Sequence, residues 1–436
     1  MYVADSRASS PDAPVSADGA VRLPAGRRRA AVAPTVLALG TVSLVTDISS
    51  EMVTAVLPLY LVAGLGLSPL GFGVLDGVYN GFSALVRLAG GHLADRGGGR
   101  HKWVAGIGYG ISALCKPLLL LAHTLTPIGL VLAADRTGKG LRTAPRDALI
   151  SLSSTPGTRG RAFGVHRAMD TAGALLGPLA AFLILRATVD GYDAVFTVSF
   201  CVAVLGVLVL VLFVPGGRRP PAADTGHPVA RPTAPPAARA TLGAALALLR
   251  HRDLRRITVC ALLLGLATVS DSFVYLLLQH RVGVPDRWFA LLPLGTAAAF
   301  LLLAVPLGRL ADRVGRWRVF LAGHAALLLA YGLLLTSWHA AALPYAVLAL
   351  HGGFYAATDG VLMAAASEGV PEELRSSGLA VVQTGQALAR FACSLLFGAA
   401  WTLWGDRTAL LASAVALALC AAFALVIRPK GTACTP

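Results

Sequence analysis

Long apolar segments recur along this 436-residue chain and restrict its fold more than any other feature. A helix needs about 20 mainly apolar residues to cross the hydrocarbon core of a bilayer. Twelve segments of about that length occur, at 34–62, 69–93, 103–122, 126–150, 162–185, 194–214, 256–279, 287–310, 317–337, 341–366, 378–403 and 408–427. The sequence therefore predicts an all-α integral membrane protein with twelve transmembrane helices.

Charged residues are scarce, at 14% of the chain, whereas soluble domains carry about 25%. Hydrophobic residues make up 56%, which excludes disorder for most of the chain. The formal net charge is +15, which suits a nucleic-acid binder only if the basic residues form one patch. They occur instead in alternate loops, and the first, third and ninth loops contain no lysine or arginine. Because positively charged loops stay in the cytoplasm, both termini are predicted to be cytoplasmic.

A polar segment at 215–255 separates six apolar segments from six. It is rich in proline and ends in an amphipathic sequence, so we predict a cytoplasmic linker with a helix on the membrane surface. Residues 1–30 are predicted to be a disordered cytoplasmic tail, and 428–436 a C-terminal tail. The predicted six-helix bundles are 31–214 and 256–427.

Two loops resemble each other, one after the second apolar segment (GHLADRGGGRHKW) and one after the eighth (GRLADRVGRWRVF). If one extra glycine is allowed, the aligned residues are Gly91, Asp95, Arg96 and Arg100 with Gly308, Asp312, Arg313 and Arg316. In the same way Asp47 corresponds to Asp271, and Asp147 to Asp359. This repetition indicates the duplication of a six-helix unit, and two parallel six-helix repeats with a binding site between them are a transporter architecture.

These motifs resemble those of the major facilitator superfamily over roughly residues 34–428, with the loop signature G-x-x-x-D-R-x-G-R-R. The first loop has one additional glycine, whereas the second has the regular spacing. The resemblance implies that the aligned loop residues form a cytoplasmic gate. We assign Arg142 and Arg146 to this gate as well, because they lie near the cytoplasmic end of the fourth segment, where they could pair with Asp95.

Ionisable residues inside the apolar segments are candidates for function, since a charge at membrane depth is costly unless it faces a cavity or a partner. Asp47 and Glu51 share a face of the first helix, and Asp76 and Arg87 share a face of the second. We predict that they line a cavity for protons and substrate. Alternatively, Glu51 or Arg87 lies near a helix end and reaches water or lipid headgroups.

The fourth segment, LAADRTGKGLRTAPRDALI, carries its charges within an arc of about 140° at 100° per residue. Arg136 matches the superfamily's helix-4 motif, L-x-x-x-R-x-x-Q-G-x-G-x-A, whereas Lys139 stands where glutamine is usual. The resemblance implies that Arg136 tunes a nearby carboxylate during proton coupling. Several cations that face inward indicate, as an alternative, an anionic substrate.

The fifth segment has the spacing of the superfamily's antiporter motif, which implies export. The matching residues are Gly164, Gly173, Gly177 and Pro178, but the closing glycine pair is replaced. Small residues at this spacing also permit close helix packing without any bearing on direction. Arg167 and Asp170 are predicted to pair within this helix and to face the cavity.

The second half contributes fewer charges to the cavity, chiefly Asp271 and Asp359. We therefore predict that the first half handles protons and the second half shapes substrate contacts. Three longer stretches, including TDISSEMVTAVLPLYL, resemble one bacterial branch of the superfamily, and this resemblance implies no particular substrate.

No ATP-binding motif, HExxH, GxSxG or grouping of metal ligands occurs, so neither an enzyme nor a cofactor or metal is predicted. The sequence predicts a monomeric, proton-coupled exporter of a small organic molecule in the bacterial inner membrane. Its expected partners are the substrate, protons and the lipid bilayer, without nucleic acid. The alternatives are an importer of a small solute, anionic or otherwise, and a membrane sensor that does not transport.

Overall fold

The computed structural model describes residues 33–96, 101–154, 158–189, 191–215, 250, 252–336, 340–368 and 375–427. All regular elements within these residues are helical. The predicted N-terminal tail, the C-terminal tail and nearly all of the predicted linker with its amphipathic helix lie outside the described residues.

The first half of the chain contains six long helices. They are α1 (Pro34–Leu59, continued by a π-helical turn at Tyr60–Gly64), α2 (Pro69–Arg96), α3 (His101–Leu121), α4 (Leu125–Leu152), α5 (Arg159–Ala187) and α6 (Gly191–Phe213). Their limits differ from the predicted ones by only a few residues. Apolar composition over about 20 residues was thus sufficient to find each helix.

The second half is less regular. Its helices are α7 (Arg252–Ala267), α8 (Asp271–Val282), α9 (Asp286–Phe289), α10 (Leu292–Val314), α11 (Arg316–Leu335), α12 (Leu343–Glu368) and α13 (Arg375–Val426). Inside α13, Gly405 has φ 81° and ψ 165°, a conformation that L side chains rarely adopt. The 45 residues Val382–Val426 would be about 68 Å long as a straight helix, so Gly405 divides α13 into two spans.

The predicted seventh span, 256–279, is not one continuous helix. Residues 268–270 interrupt it between α7 and α8. Non-helical backbone at membrane depth is tolerated only where its polar groups are paired or line a cavity. Here the Val269 N–H donates to Tyr331 Oη at 2.8 Å, and Cys393 Sγ donates to the Thr268 carbonyl at 3.0 Å. Residues far along the chain therefore stabilise the break.

Eight helical stretches among the described residues are long and apolar enough to cross a membrane, judged by length and composition alone, and one of them is the stretch that Gly405 divides. The remaining long helices, α2, α4 and α12, contain 28, 28 and 26 residues. Helix α2 packs on α4 and α13, α4 packs on α3, and α12 packs on α10 and α11. The described helices are consistent with the twelve predicted spans and confirm the predicted all-α membrane fold.

The close packing of α1 against α5 depends on glycine. A Cβ atom on Gly173 would lie 2.6 Å from the Leu44 carbonyl oxygen, and one on Gly177 would lie 2.6 Å from Glu51 Cβ. Gly164 differs, because a Cβ there would have no neighbour within 4 Å. Two of the motif glycines therefore hold α5 directly against the acidic face of α1.

The two halves meet at one end of the molecule. We call the end that carries the first residues of α1 and the last residues of α13 the proximal end, and the opposite end the distal end. Near the distal end α2 packs on α13, where a Cβ on Gly73 would lie 2.5 Å from the Ser394 carbonyl oxygen. Phe182 of α5 stacks on Trp288 of α9, with ring centroids 5.1 Å apart. The distal end is therefore closed between the halves.

Candidate functional site: a central cavity and a buried charge network

A cavity of about 410 Å³ lies between the two halves. Ligand pockets commonly measure about 300–1,000 Å³, so this one has room for a small organic molecule. Its polar and aromatic lining includes Glu51, Thr54, Tyr79, Asn80, Asp271, Tyr275, Thr296, Phe300, Tyr355, Asp359 and Arg390. The structure thus brings three predicted site residues, from α1, α8 and α12, to the wall of one cavity.

The break between α7 and α8 places Asp271 at this wall. Asp271 is the first residue of α8, and its side chain is 43% exposed. Its Oδ1 accepts hydrogen bonds from Tyr355 Oη and His351 Nε2, the latter at 3.0 Å. Neither His351 nor Tyr355 was among the predicted site residues. Both lie on α12, and only the packing of α12 against α8 reveals their role.

His351 is fully buried, and its Nδ1 has no hydrogen-bond partner among the described residues. Its Nε2 is the ring nitrogen that is paired, and Asp271 is its partner at 3.0 Å. The imidazole and the Tyr355 hydroxyl together hold one oxygen of the Asp271 carboxylate in place.

A second carboxylate, Asp135, is the centre of a buried charge cluster on α3 and α4. Its Oδ1 accepts from Lys116 Nζ at 2.9 Å and from Ser112 Oγ at 2.5 Å. Its Oδ2 accepts from Arg136 Nη2 at 2.5 Å. All four residues are buried, which makes this a compact cluster of two cations and one carboxylate.

Arg136 connects this cluster to the cavity. Its guanidinium lies over the Tyr79 ring, 3.8 Å from the centroid, and Tyr79 Oη is 2.7 Å from Thr54 Oγ1. The carboxylate beside Arg136 is its sequence neighbour Asp135. Lys116 was missed, although a lysine in an apolar span is a candidate by the rule applied to the other helices.

Pairs of opposite charge link α1 to α4 along one face. Arg142 Nη2 lies 3.3 Å from Asp47 Oδ1, and Lys139 Nζ lies 3.9 Å from Glu51 Oε1. Arg142 also lies over the Tyr109 ring, 4.6 Å from its centroid. Of these residues, Glu51 alone belongs to the lining of the central cavity.

Arg146 continues this row toward the proximal end. It lies 3.2 Å from Asp147 and 3.6 Å from Asp170 of α5. Arg167 also approaches Asp170, at 3.9 Å, but its side chain is 82% exposed and does not line the central cavity. The structure therefore brings Arg167 and Asp170 together, but away from the cavity that they were predicted to face.

Each of the four cations of α4 has a carboxylate within 4 Å. The pairs are Arg136 with Asp135, Lys139 with Glu51, Arg142 with Asp47, and Arg146 with Asp147 and Asp170. This compensation leaves less positive charge for an anionic substrate than the sequence pattern alone suggests.

Asp76 lies beside the cavity, at the contact between the halves. It is buried on α2, and its Oδ2 accepts a hydrogen bond from Ser394 Oγ of α13 at 2.6 Å. The closely packed Gly73 lies one helical turn away toward the distal end. Asp76 is thus positioned where any relative movement of the two halves would change its surroundings.

The predicted cytoplasmic gate is described only in part. Of the first copy, Gly91 lies within α2, whereas the side chains of Asp95 and Arg96 and the whole of Arg100 lie outside the described residues. The side chain of Arg87, which was predicted to line the cavity, also lies outside them. In the second copy, Asp312 lies 3.5 Å from Arg316 and its side chain is 68% exposed. Gly315 permits the sharp turn between α10 and α11 with φ 101°, and the chain around Gly308 is open. Arg313 lies in the last turn of α10.

Within the described part of the chain, no group of three or more histidine, cysteine, aspartate or glutamate side chains is placed to hold a metal ion. The charged side chains instead neutralise one another or surround the cavity. The arrangement is suited to binding a solute between two helical bundles and to holding carboxylates at membrane depth.

Solved structures of other proteins have a similar overall fold. The nucleoside transporter NupG matches with a TM-score of 0.75 at 14% identity, over 90% of this chain and 98% of that chain. A bacterial homolog of the human lysosomal transporter Spinster, in an inward-facing and unoccupied conformation, matches with a TM-score of 0.70 at 16% identity, over 90% and 96%. At these identities the similarity shows the fold alone.

Sequence comparisons identify a related protein and a family model that matches the chain. An uncharacterized MFS-type transporter of Methanocaldococcus jannaschii is 27% identical over 387 residues, which cover 87% of this chain and 91% of that protein. The family model described as Major Facilitator Superfamily matches residues 39–393 and 276–433. Since these matches span most of the chain, the protein belongs to the Major Facilitator Superfamily, a family of membrane transporters.

Proposed function

We propose that the protein exports a small organic molecule across the bacterial inner membrane in exchange for protons, by alternating access. The observation that carries the proposal is the pairing of Asp47 with Arg142 and of Glu51 with Lys139, beside a cavity between the two bundles. Carboxylates at membrane depth that face cations and a cavity are suited to a proton relay.

Glu51 is the link between protons and substrate in this proposal. It lines the cavity and also lies 3.9 Å from Lys139. A proton added to Glu51 removes the negative charge that Lys139 faces, and a substrate in the cavity changes the surroundings of the same carboxylate. Each event therefore alters the free energy of the other, which is the requirement for coupled transport.

Alternating access requires the halves to separate at the distal end. The contacts that must open are Gly73 of α2 against Ser394 of α13, and Phe182 against Trp288. If the termini are cytoplasmic, as the loop charges predict, the closed distal end makes this an inward-facing conformation. Rocking of 34–214 against 256–427 would then expose the cavity to the other side, with the loop residues around Asp95 and Asp312 closing the cytoplasmic gate.

The direction of transport rests on the fifth helix. Gly173 and Gly177 hold α5 against Leu44 and Glu51 of α1, so the antiporter-like motif packs on the helix that carries the coupling carboxylates. This placement supports a role for the motif in coupling. It would also suit an importer, so the experiment below separates the two directions.

Inverted membrane vesicles with an imposed pH gradient test the proposal. With the vesicle interior acidic, we expect substrate from a broad compound panel to accumulate inside. Asp47→Asn and Glu51→Gln should each reduce this flux at least tenfold, whereas Asp193→Asn, outside the cavity at the start of α6, should not. The proposal fails if no compound shows flux that depends on the gradient. Accumulation only in right-side-out vesicles would indicate import.

A further inference from the structure

We infer that the central cavity takes a monovalent organic cation, a molecule with one ammonium or quaternary nitrogen on an apolar body. This inference rests on the proposed transport function and names its substrate class. The starting observation is the charge of the lining. Among eighteen lining residues, three are carboxylates, Glu51, Asp271 and Asp359, and one is a cation, Arg390.

Neighbouring groups reduce this negative charge without removing it. Arg390 attracts both Asp271 and Asp359 electrostatically. Lys139 lies outside the lining and pairs with Glu51 at 3.9 Å. The other α4 cations lie beside Asp135, Asp47, Asp147 and Asp170, and Asp135 is shared with Lys116 of α3. At the cavity wall itself, three carboxylates face Arg390 and the adjacent Lys139, and this excess of carboxylates suits one positive charge on the substrate.

Asp271 offers a specific position for that charge. His351 and Tyr355 both donate to Oδ1, which fixes the orientation of the carboxylate. No described residue donates a hydrogen bond to Oδ2, although the side chain is 43% exposed at the cavity wall. A cationic nitrogen that approaches Oδ2 would form the charged contact that the protein itself leaves open.

Aromatic side chains in the lining add a second attraction for a cation. Tyr79, Tyr275, Tyr355 and Phe300 all line the cavity. A cation near the face of an aromatic ring is stabilised by about 0.5–2 kcal/mol. Tyr79 already holds the guanidinium of Arg136, 3.8 Å from its centroid, so the rings that remain for a ligand are those of Tyr275, Tyr355 and Phe300.

Equilibrium binding of radiolabelled tetraphenylphosphonium to the full-length protein in detergent tests this inference without any gradient. Tetraphenylborate has nearly the same shape and the opposite charge, so its binding, measured in a separate sample, is the matched control. We expect saturable binding of the cation and no saturable binding of the anion. Saturable binding of tetraphenylborate in place of the cation would overturn the inference.

Variants locate the site. Asp271→Asn should weaken binding of tetraphenylphosphonium at least tenfold, whereas Asp286→Asn, in the distal turn near Gln279 and outside the lining, should leave it unchanged. Tyr355→Phe keeps the charge of Asp271 and removes one orienting donor, so a smaller loss of a few-fold is expected. If Asp271→Asn is poorly folded, Glu51→Gln provides a second charge removal at the opposite wall. Equal affinities for the two aspartate variants would contradict the inference.

The result also separates this inference from the proposed function. Binding through Asp271 without gradient-driven flux would support the cation site and contradict proton-coupled export. Gradient-driven flux of neutral or anionic compounds alone, unchanged by Asp271→Asn, would support transport and overturn the cation site.

Discussion

The first and second halves of the molecule differ in how they use buried charge. In the first half, α3 and α4 hold Lys116, Asp135 and Arg136 in contact with one another, and each remaining cation of α4 faces an acid of α1, α4 or α5. In the second half, Asp271 accepts hydrogen bonds from the side chains of His351 and Tyr355 and stays partly exposed to the cavity.

This difference supports the proposed division of roles between the two bundles. The buried charges of the first half depend on one another, so removal of a carboxylate such as Asp135 leaves buried cations without a compensating charge. The Asp271 carboxylate of the second half is partly exposed at the cavity wall, where a ligand can reach it. This contrast supports the proposed roles, with protons handled by the first half and substrate contacts shaped by the second.

The largest expected difference is between Asp135→Asn and Asp271→Asn. Loss of the Asp135 charge leaves Lys116 and Arg136 buried without a carboxylate, so we expect a loss of about 3–5 kcal/mol in stability. Asp271 is partly exposed, and the asparagine oxygen can still accept from His351 and Tyr355, so a loss of about 1 kcal/mol is expected for Asp271→Asn. Thermal unfolding in detergent measures both. Lys116→Met should recover part of the stability of Asp135→Asn, and equal stabilities of the two single variants would refute the contrast.

Two arginines extend the comparison. The Arg142 side chain is only 3% exposed, pairs with Asp47 and lies over Tyr109, so Arg142→Ala should cost about 3 kcal/mol. Arg390 lines the cavity and is exposed, so Arg390→Ala should cost less than about 1 kcal/mol. The unfolding midpoints of the two variants decide the order. If Arg390→Ala proves the more destabilising, charge in the second half is structural and the proposed division of roles is wrong.

The contact between the halves gives an intermediate effect. A Cβ on Gly73 would lie 2.5 Å from the Ser394 carbonyl oxygen, so Gly73→Val should destabilise the closed distal end by about 1–3 kcal/mol. Gly110 is the matched control, because a Cβ there has open space in another helix. Hydrogen exchange of residues 66–73 should rise in Gly73→Val and not in Gly110→Val. Unchanged exchange in both would show that this contact does not hold the halves together.

The smallest effect is expected at the proximal edge of the network. The side chain of Arg167 is 82% exposed, and that of Arg146 is 13% exposed, although both approach Asp170. Exposed ion pairs contribute about 0–1 kcal/mol, so Arg167→Ala should change stability by less than about 0.5 kcal/mol. Arg146→Ala should change it more, as measured by the same unfolding assay. Equal losses would mean that burial does not set the strength of these pairs.

Much of the fold was predictable because membrane insertion depends on local composition. Each helix of the first half matches a predicted segment to within a few residues. The break at 268–270 was not predictable, since Thr268, Val269 and Ser270 include no glycine or proline. It is stabilised by Tyr331 and Cys393, whose contribution depends on how α11 and α13 pack.

The residues of the candidate site were easier to predict from the sequence than the contacts that they make with one another. Asp47 and Arg142 were assigned to different tasks, coupling and gating, yet they form one ion pair at 3.3 Å. Helical periodicity places residues on a face but does not state which neighbouring helix that face meets. Lys116 is the opposite case, because a lysine within the apolar α3 segment is recognisable from the sequence alone as a charge at membrane depth.

The sequence alone determined that the chain enters a membrane and that its motifs resemble those of the Major Facilitator Superfamily, and it predicts that the two halves are repeats. These properties follow from hydropathy, loop charge and residue spacing, which act over short stretches of chain. Only the tertiary structure decided that α4 is electrically compensated and that Asp271 meets His351, which lies 80 residues further along the chain. Such pairings arise from helix packing, because a side chain at membrane depth takes its partner from whichever helix lies beside it.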